Sequence, residues 1–295
     1  MKTLVAGAGG QLGLEITRVF AEEGRVVALS RAALDISDHD AVFRIARDAK
    51  PDVIVNCAAY NDVDGAEADP VTAMNVNGLG VRWLAKAANE TGAVFVHYGT
   101  DFVFDGDTNE PYGEMSAPGP QSVYATSKLV GEWFAGVTPR HYVLRLESLF
   151  GGGAEEEQVG RRLGSSLDRM VDAMLEGRPV NGFTDRIVSP SYVPDVAAAT
   201  LKLFRRGAEA GIYHCVNSGL ATWFEVAQLA ARQLGSESVL SRMTLDEVRF
   251  VAARPRYCAL SNRKLAAAGV SMPRWEDALG RYLAVRQENA KCKGP

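Results

Sequence analysis

A short apolar run, Lys2-Thr3-Leu4-Val5-Ala6, passes without a linker into Gly7-Ala8-Gly9-Gly10-Gln11-Leu12-Gly13 and from there into sequence of helical period. A strand that ends in a glycine-rich turn and restarts as a helix is the opening unit of a βαβ fold. The first half of the chain repeats that alternation. Thr3–Ala6, Arg25–Leu29, Asp52–Asn56, Ala93–Tyr98 and His141–Leu146 read as strands. Between them Gln11–Glu23, Asp38–Ala49, Asp69–Glu90 and Ser122–Gly136 carry apolar residues three and four apart, the spacing of a helix with one buried face. Strands and helices in strict alternation with short links require a parallel sheet with helices on both faces.

The expected fold is therefore α/β: a doubly wound, Rossmann-type parallel sheet followed by a smaller C-terminal α+β domain. Gly151-Gly152-Gly153 and the acidic stretch Ala154–Gly164 mark the change of pattern, dividing the 295 residues into 1–150 and 151–295. The second part reads as helices at Leu167–Glu176, Pro194–Arg206, Thr222–Leu234 and Trp275–Val285 with a few short strands. Residues around 187–218 are the segment able to return to the first domain. Ala154–Gly164, with Glu155-Glu156-Glu157 and Arg161-Arg162, reads either as a solvated surface loop or as an insertion gating the site.

Composition narrows the class. Lys and Arg number 32 against 36 Asp and Glu, a net charge of −4, with no run of five like charges, so neither nucleic acid nor an anionic membrane is the expected partner. Cys57, Cys215, Cys258 and Cys292 are far apart, and His39, His97, His141 and His214 each lack a second ligand at metal-binding spacing, so no metal is expected. The N-terminal apolar stretch is interrupted at Gly9-Gly10-Gln11, and no later run is long enough to span a bilayer. The expectation is a cytoplasmic protein, monomer or homodimer.

Glycines at 7, 10 and 13 permit a tight turn, close backbone approach to a pyrophosphate and close packing of helix on strand, with the helix N-terminus turned toward phosphate. The second strand ends in Leu29-Ser30-Arg31, with no carboxylate to hold a ribose 2′-hydroxyl. Serine and arginine suit a 2′-phosphate, which favours NADPH, with NADH the alternative; a solvated loop charge at Arg31 is the competing reading.

Tyr124 and Lys128 stand four apart on an expected helix and so share a face. A phenol titrates near ~10, so exchanging a proton at neutral pH calls for a cation close by, which Lys128 supplies. Thr100 lies at the carboxyl end of the fourth strand, where a parallel sheet binds its ligands and where a hydroxyl can hold a reacting carbonyl oxygen. An ordinary surface pair is the competing reading for Tyr124 and Lys128 taken alone.

Taken together these residues resemble the extended short-chain dehydrogenase/reductases in their nucleotide-sugar branch, and within it the dTDP-4-dehydrorhamnose reductases. The resemblance rests on Gly10-Gln11-Leu12-Gly13, Arg31 through Asp35-Ile36, Pro51 to Tyr60, Val63-Asp64 with Glu67, Thr100 to Gly106, and Tyr124 with Lys128, Gly131 and Glu132. It continues in Tyr213 to Asn217, Arg254-Pro255-Arg256 and Leu260-Ser261-Asn262, so it covers essentially the whole chain. It implies hydride transfer from a nicotinamide to the C4 ketone of a nucleotide-linked 4-keto-6-deoxy sugar, with Tyr124 as proton donor, Thr100 on the carbonyl oxygen and Lys128 on Tyr124 and the ribose. It implies a cofactor site of Gly7, Gly10, Gln11, Leu12, Ser30, Arg31, Asp35, Ile36, Cys57, Ala58, Ala59, Tyr60 and Asn61 beside Tyr124 and Lys128. Substrate would meet Thr100, Asp101, Phe102, Tyr124, Ser148 and Arg186. For Asp35-Ile36 the residues alone read equally well as the lead-in to a helix cap.

Three departures fall at or near the expected substrate. Gly99 stands where the family has a serine, Arg145-Leu146-Glu147-Ser148-Leu149-Phe150-Gly151 replaces Arg-Thr-Ser-Trp-Val-Tyr-Gly, and Thr184 to Ser191 replaces Asp-Gln-x-Gly-x-Pro-Thr. Two other functions compete. A dehydratase or epimerase with tightly held NAD is disfavoured because Phe102 follows Asp101 where an acid would be needed. A non-catalytic regulatory subunit of the same fold has no use for Thr100, Tyr124 and Lys128.

Overall fold

The computed structural model describes residues 1–152 and 165–292. The Ala154–Gly164 segment, a loop or gate by its sequence, lies outside the described residues. The first half contains strands β1 (Lys2–Ala6), β2 (Arg25–Leu29), β3 (Val53–Asn56), β4 (Val94–Thr100) and β5 (His141–Leu146). Its helices are α1 (Gln11–Ala21), α2 (His39–Ala49), α3 (Val63–Ala68), α4 (Pro70–Met74), α5 (Val81–Thr91) and α6 (Val123–Gly136). The second half runs β6 (Leu149–Phe150), α7 (Ser166–Leu175), β7 (Val180–Phe183), β8 (Ile187–Val188), β9 (Ser191–Tyr192), α8 (Val193–Arg205) and β10 (Gly211–His214). It ends with β11 (Ala221–Thr222), α9 (Trp223–Leu234), β12 (Leu240–Met243), α10 (Arg263–Ala267) and α11 (Trp275–Cys292).

The main sheet has the order β10-β5-β4-β3-β1-β2 and is parallel throughout. Its inner strands are apolar on both faces because both faces are covered. Val5, Val53, Val55, Val94 and Val96 point to one side, against Leu12, Ile16 and Phe20 of α1 and Val193 and Val196 of α8. Leu4, Ala6, Ile54 and Phe95 point to the other, against α2, α5 and α6. Between β1 and β3 the strand order reverses direction, which opens a crevice at their carboxyl ends.

The chain crosses from one core to the other more than once. α8 packs on α1, and β10 extends the main sheet beside β5. A second core gathers Leu167, Val171, Trp223, Val226, Trp275, Leu279 and Tyr282 from α7, α9 and α11, flanked by the pairs β6–β9, β7–β12 and β8–β11. Among the described residues no helix is long and apolar enough to cross a membrane.

The expected single helix Asp69–Glu90 is a continuous helical path of changing type. Asp69 caps α4 by accepting from the Thr72 N–H at 3.1 Å, and Asn75–Gly80 forms a π-turn before α5 begins. The extra residue per turn faces Asn77 inward, a long-range demand that helical periodicity does not carry. Helix α3 is not expected from periodicity either: it is short and is held by its cap, Asp62 accepting from Gly65 N–H at 2.8 Å.

Candidate active site

Gly7 has φ of +76°, and a Cβ there would lie 2.5 Å from the Ala58 nitrogen. A Cβ on Gly13 would lie 2.2 Å from the Gly7 carbonyl oxygen. These two glycines are required by the protein itself: one lets β1 turn beside the end of β3, the other seats α1 on that turn. Gly9 and Gly10 differ, since the nearest atoms to their would-be Cβ are at 3.6 and 3.4 Å, ordinary contact distances. α1 starts at Gly10 with no side-chain cap and no acidic residue in its first turn, so its N–H groups and positive dipole end face the crevice uncontested. The arrangement fits a pyrophosphate.

Gln11 points from the start of α1 to the Gly151 carbonyl at 2.9 Å, tying the glycine loop to the expected domain boundary. Ser30 and Arg31 are exposed at the end of β2, flanking the same crevice. Asp35 is held low by Ser37, whose hydroxyl and N–H both donate to it at 2.6 and 2.9 Å. The cap of α2 is Asp38 instead, accepting from Ala41 N–H at 3.0 Å. The Ile36 side chain is buried against Gly80, which leaves its backbone as the part able to meet a cofactor.

After β3, Cys57 to Asn61 form the other lip. Burial pushes the Cys57 thiol well up, so it stays protonated. Asn77, which the sequence reading missed, holds this lip: its Oδ1 accepts from Tyr60 N–H at 2.9 Å, and its Nδ2 donates to the Tyr60 carbonyl and the Ser127 hydroxyl, each at 3.0 Å. Ser127 in turn donates to the Tyr124 carbonyl at 2.7 Å. A fully bonded buried amide thus locks the lip to α6. The available signal was the polar Asn77 amid the apolar positions of the expected helix.

The structure brings Thr100, Tyr124 and Lys128 together at the carboxyl end of β4. Ser122 caps α6 through Ala125 N–H, which sets the helix register, and Tyr124 and Lys128 sit one turn apart, 8% and 4% exposed. Burial, then the Asp101 charge, push the Tyr124 pKa up, with Thr100 pulling the other way. The Lys128 ammonium donates to the Tyr98 carbonyl at 2.6 Å, and burial lowers its pKa to about 8. Phe102 meets Tyr124 edge-on at 5.6 Å, and the guanidinium groups of Arg186 and Arg254 lie 5.5 and 5.9 Å from the Phe102 ring centroid. Arg254, also missed, is fixed by Asp64 at 3.0 Å. Arg256 lies on the exposed surface, bonded to Asp185 and Asp246.

The departures separate into two groups. Gly99 faces away from the substrate side, into a buried ion pair: Glu132 accepts from Arg145 at 2.8 and 3.0 Å, and a Cβ on Gly99 would lie 2.2 Å from Glu132 Oε1. A side chain at 99 therefore has to share this space with the Glu132 carboxylate. Glu147 and the segment around Arg186 meet each other. Glu147 is buried, accepts from the Ser148 hydroxyl and the Ser189 N–H, and is held well above the usual carboxylate range by burial and by Asp101. Ser148 reaches this bond with φ of +45°, a left-handed backbone unusual for serine. Asp101, Glu147 and Cys258 each place a donor atom within 4.8 Å of the others. The Arg186 guanidinium supplies the positive charge to all three, which is the role a metal would have in such a cluster.

Over residues 1–288 the chain matches the family described as the RmlD substrate binding domain. It is 37% identical over 294 residues to a dTDP-4-dehydrorhamnose reductase of Mycobacterium tuberculosis, covering 96% of this chain and 92% of that protein. It is 34% identical over 287 residues to the spore coat polysaccharide biosynthesis protein SpsK of Bacillus subtilis, covering 97% and 98%. The crystal structure of a dTDP-4-dehydrorhamnose reductase from Clostridium acetobutylicum superposes with a TM-score of 0.90 at 31% identity, covering 97% of this chain and all (100%) of that one. That of the Bacillus anthracis dTDP-4-dehydrorhamnose reductase in complex with NADP gives 0.89 at 29% identity, covering 96% and 98%.

Proposed function

Because the chain belongs to the family of the RmlD substrate binding domain, we propose that it is an NADPH-dependent reductase of the C4 ketone of a nucleoside-diphosphate 4-keto-6-deoxy sugar, of the kind its dTDP-4-dehydrorhamnose reductase relatives are named for. The observation that carries this reading is the buried group of Thr100 at the end of β4 and Tyr124 with Lys128 one turn on in α6, beside the crevice at the carboxyl ends of β1 and β3.

NADPH, when bound, supplies the hydride. Gly7 to Leu12 would hold its pyrophosphate at the α1 N-terminus, and Ser30 and Arg31 would meet the 2′-phosphate with a hydroxyl and a cation. Asp35, the Ile36 backbone and Cys57 to Asn61 line the remainder. Lys128, whose ammonium already donates to the Tyr98 carbonyl, would offer its remaining N–H groups to the ribose hydroxyls. Thr100 holds the ketone oxygen, which becomes an alkoxide as C4 accepts the hydride, and Tyr124 then passes its phenolic proton to that oxygen. Burial and the Asp101 charge keep the phenol protonated until so strong a base forms, which suits an acid. Phe102, Ser148 and Arg186 complete the wall against the sugar nucleotide. The protein is inferred to work in the cytoplasm as a monomer or homodimer.

A panel of 4-keto-6-deoxy sugar nucleotides, assayed with NADPH and NADH for loss of reduced-nicotinamide absorbance and by NMR for C4 configuration, tests the reading. Turnover with at least one of them is expected, reduced ~100-fold or more in Tyr124→Phe, the contribution of a positioned acid. No turnover with any sugar, or undiminished turnover in Tyr124→Phe, refutes it.

A further inference from the structure

Arg186 precedes β8 and Arg254 lies between β12 and α10, yet the two meet on one aromatic ring. Their guanidinium carbons lie 5.5 and 5.9 Å from the centroid of Phe102, the ring that meets Tyr124 edge-on at 5.6 Å. Burial lowers the Arg254 pKa; Asp64 opposes that and Arg186 adds to it, so the two cations lie within electrostatic reach of each other. A cleft lined by like charges concentrates a ligand of the opposite sign.

The donors of Arg186 are almost unspent. Among the described residues its guanidinium makes one long contact, to Cys258 Sγ at 3.9 Å, and its Nε is buried without a hydrogen-bond partner. Asp101 and Glu147 act on it through charge, while the hydrogen bonds they accept come from Thr100, Ser148 and Ser189. A planar guanidinium with free N–H groups matches the paired oxygens of a phosphate. Arg254 is held in place from the other half of the chain: Asp64 of α3 binds it at 3.0 Å and also accepts from the Ala252 N–H at 2.9 Å. Past Arg254 the lining turns aromatic again. Its guanidinium lies 5.0 Å from the centroid of Phe250, which is 36% exposed and leans on Phe183 at 6.2 Å.

Outward from Tyr124 the side chains therefore run phenol, aromatic ring, two cations, aromatic ring. A sugar nucleotide runs reacting carbon, sugar ring, diphosphate, base. With its C4 at Tyr124, its C1 phosphate lies across the sugar ring from the phenol. We propose that Arg186 and Arg254 clamp the diphosphate of the sugar nucleotide and that Phe250 stacks on its base, which lays the substrate along that line. For the place of the sugar at Tyr124 this rests on the reductase reading. The segment Asp-Gln-x-Gly-x-Pro-Thr of the resembled family carries no fixed cation, so the Arg186 arm of the clamp is a feature of this chain and its ligand grip is not inherited from that motif.

Calorimetry on the NADPH-saturated protein tests the clamp, since the bound cofactor keeps other nucleotides out of the glycine-loop crevice. dTDP, UDP and GDP are each titrated beside their monophosphates. The wild type binds at least one diphosphate ~10-fold or more tighter than its monophosphate. Arg186→Gln and Arg254→Gln each lose about 10-fold for that diphosphate, the worth of a charge-assisted bond, and less for the monophosphate. Arg186→Lys, which keeps the charge and loses the fork, recovers part of the difference. Phe250→Ala loses about 10-fold for diphosphate and monophosphate alike, the worth of a stacked base. Unchanged NADPH affinity shows that a variant is folded, and the wild-type comparison needs no variant. A wild type that binds no diphosphate better than its monophosphate overturns the clamp, and so does a folded arginine variant that keeps the wild-type preference. A Phe250→Ala protein that binds both nucleotides like the wild type overturns the base platform. Binding is measured without turnover, so the two readings fail separately. A wild type with the diphosphate preference that reduces no 4-keto-6-deoxy sugar nucleotide overturns the reductase reading and leaves a nucleoside-diphosphate clamp; turnover without the preference does the reverse.

Discussion

Replacing Gly99 by serine adds a Cβ 2.2 Å from Glu132 Oε1 and 3.1 Å from the Arg145 Cγ. The carboxylate is the end of a flexible side chain, but it has nowhere to go. Its oxygens are engaged by Arg145, the two side chains are 1% and 3% exposed, and the guanidinium is further held 5.0 Å from the centroid of the Phe104 ring. Moving the carboxylate aside separates a buried pair, at about 3–5 kcal/mol, and a domain of this size loses roughly 2–4 °C of Tm per kcal/mol. The expected fall is about 6–12 °C if the lower figure applies. Calorimetry or a urea titration followed by tryptophan fluorescence measures it. Gly136→Ala is the matched control: that glycine ends α6 with a φ in the ordinary range and nothing within 4 Å of a Cβ, so the substitution is neutral or stabilising by up to ~1 kcal/mol. A Gly99→Ser protein as stable as the wild type would falsify the assignment of this glycine to the ion pair and return it to the substrate wall.

Arg31→Ala raises the KM for NADPH ~10-fold and leaves that for NADH unchanged, since one charge-assisted bond to a phosphate is worth about 1.5 kcal/mol or more; equal effects on both cofactors remove Arg31 from the 2′-phosphate. His214 is buried, and burial, then Arg145, lower its pKa to about 3, so the folded state keeps it neutral while the unfolded chain protonates it in the ordinary histidine range. Its contribution is complete above about pH 6.5 and is lost as pH falls from there toward 3, about 2 kcal/mol of it by pH 5. Urea midpoints measured across pH 7 to 5 should therefore fall, and fall less steeply in His214→Gln, with His97, also held neutral by burial, accounting for the remaining slope. Identical slopes in the two proteins contradict both the direction of the His214 shift and its cause.

The parts of the fold that were legible in the chain are those encoded locally. Val53-Ile54-Val55 is apolar on both faces and so announces a strand covered on both sides, and Leu12, Ile16 and Phe20 announce the face of α1. Gly7 and Gly13 announce a turn no other residue fits. What stayed hidden depends on partners far along the chain. β10 is four residues long and is a strand because β5 is beside it. The π-turn exists because Asn77 must reach Tyr60 and Ser127. Glu147 in sequence is an ordinary acid, and its flanking Leu146 and Leu149 were the available hint of burial.

The three departures are better understood from their partners than from their positions. Gly99 makes room for Glu132 and Arg145, whereas Glu147 and the 184–191 segment depend on one another, because Ser189 supplies the N–H that holds Glu147 and Arg186 supplies the charge that both carboxylates need. Without Arg186 the two buried carboxyls face no cation, which is costly; with it they form a neutral set once one proton is added. The two departures thus meet at one place, where Glu147 draws its N–H and its counter-charge from the 184–191 segment, and with Ser148 where the resemblance places an indole the wall beside Thr100 and Tyr124 is a buried acid beside an arginine.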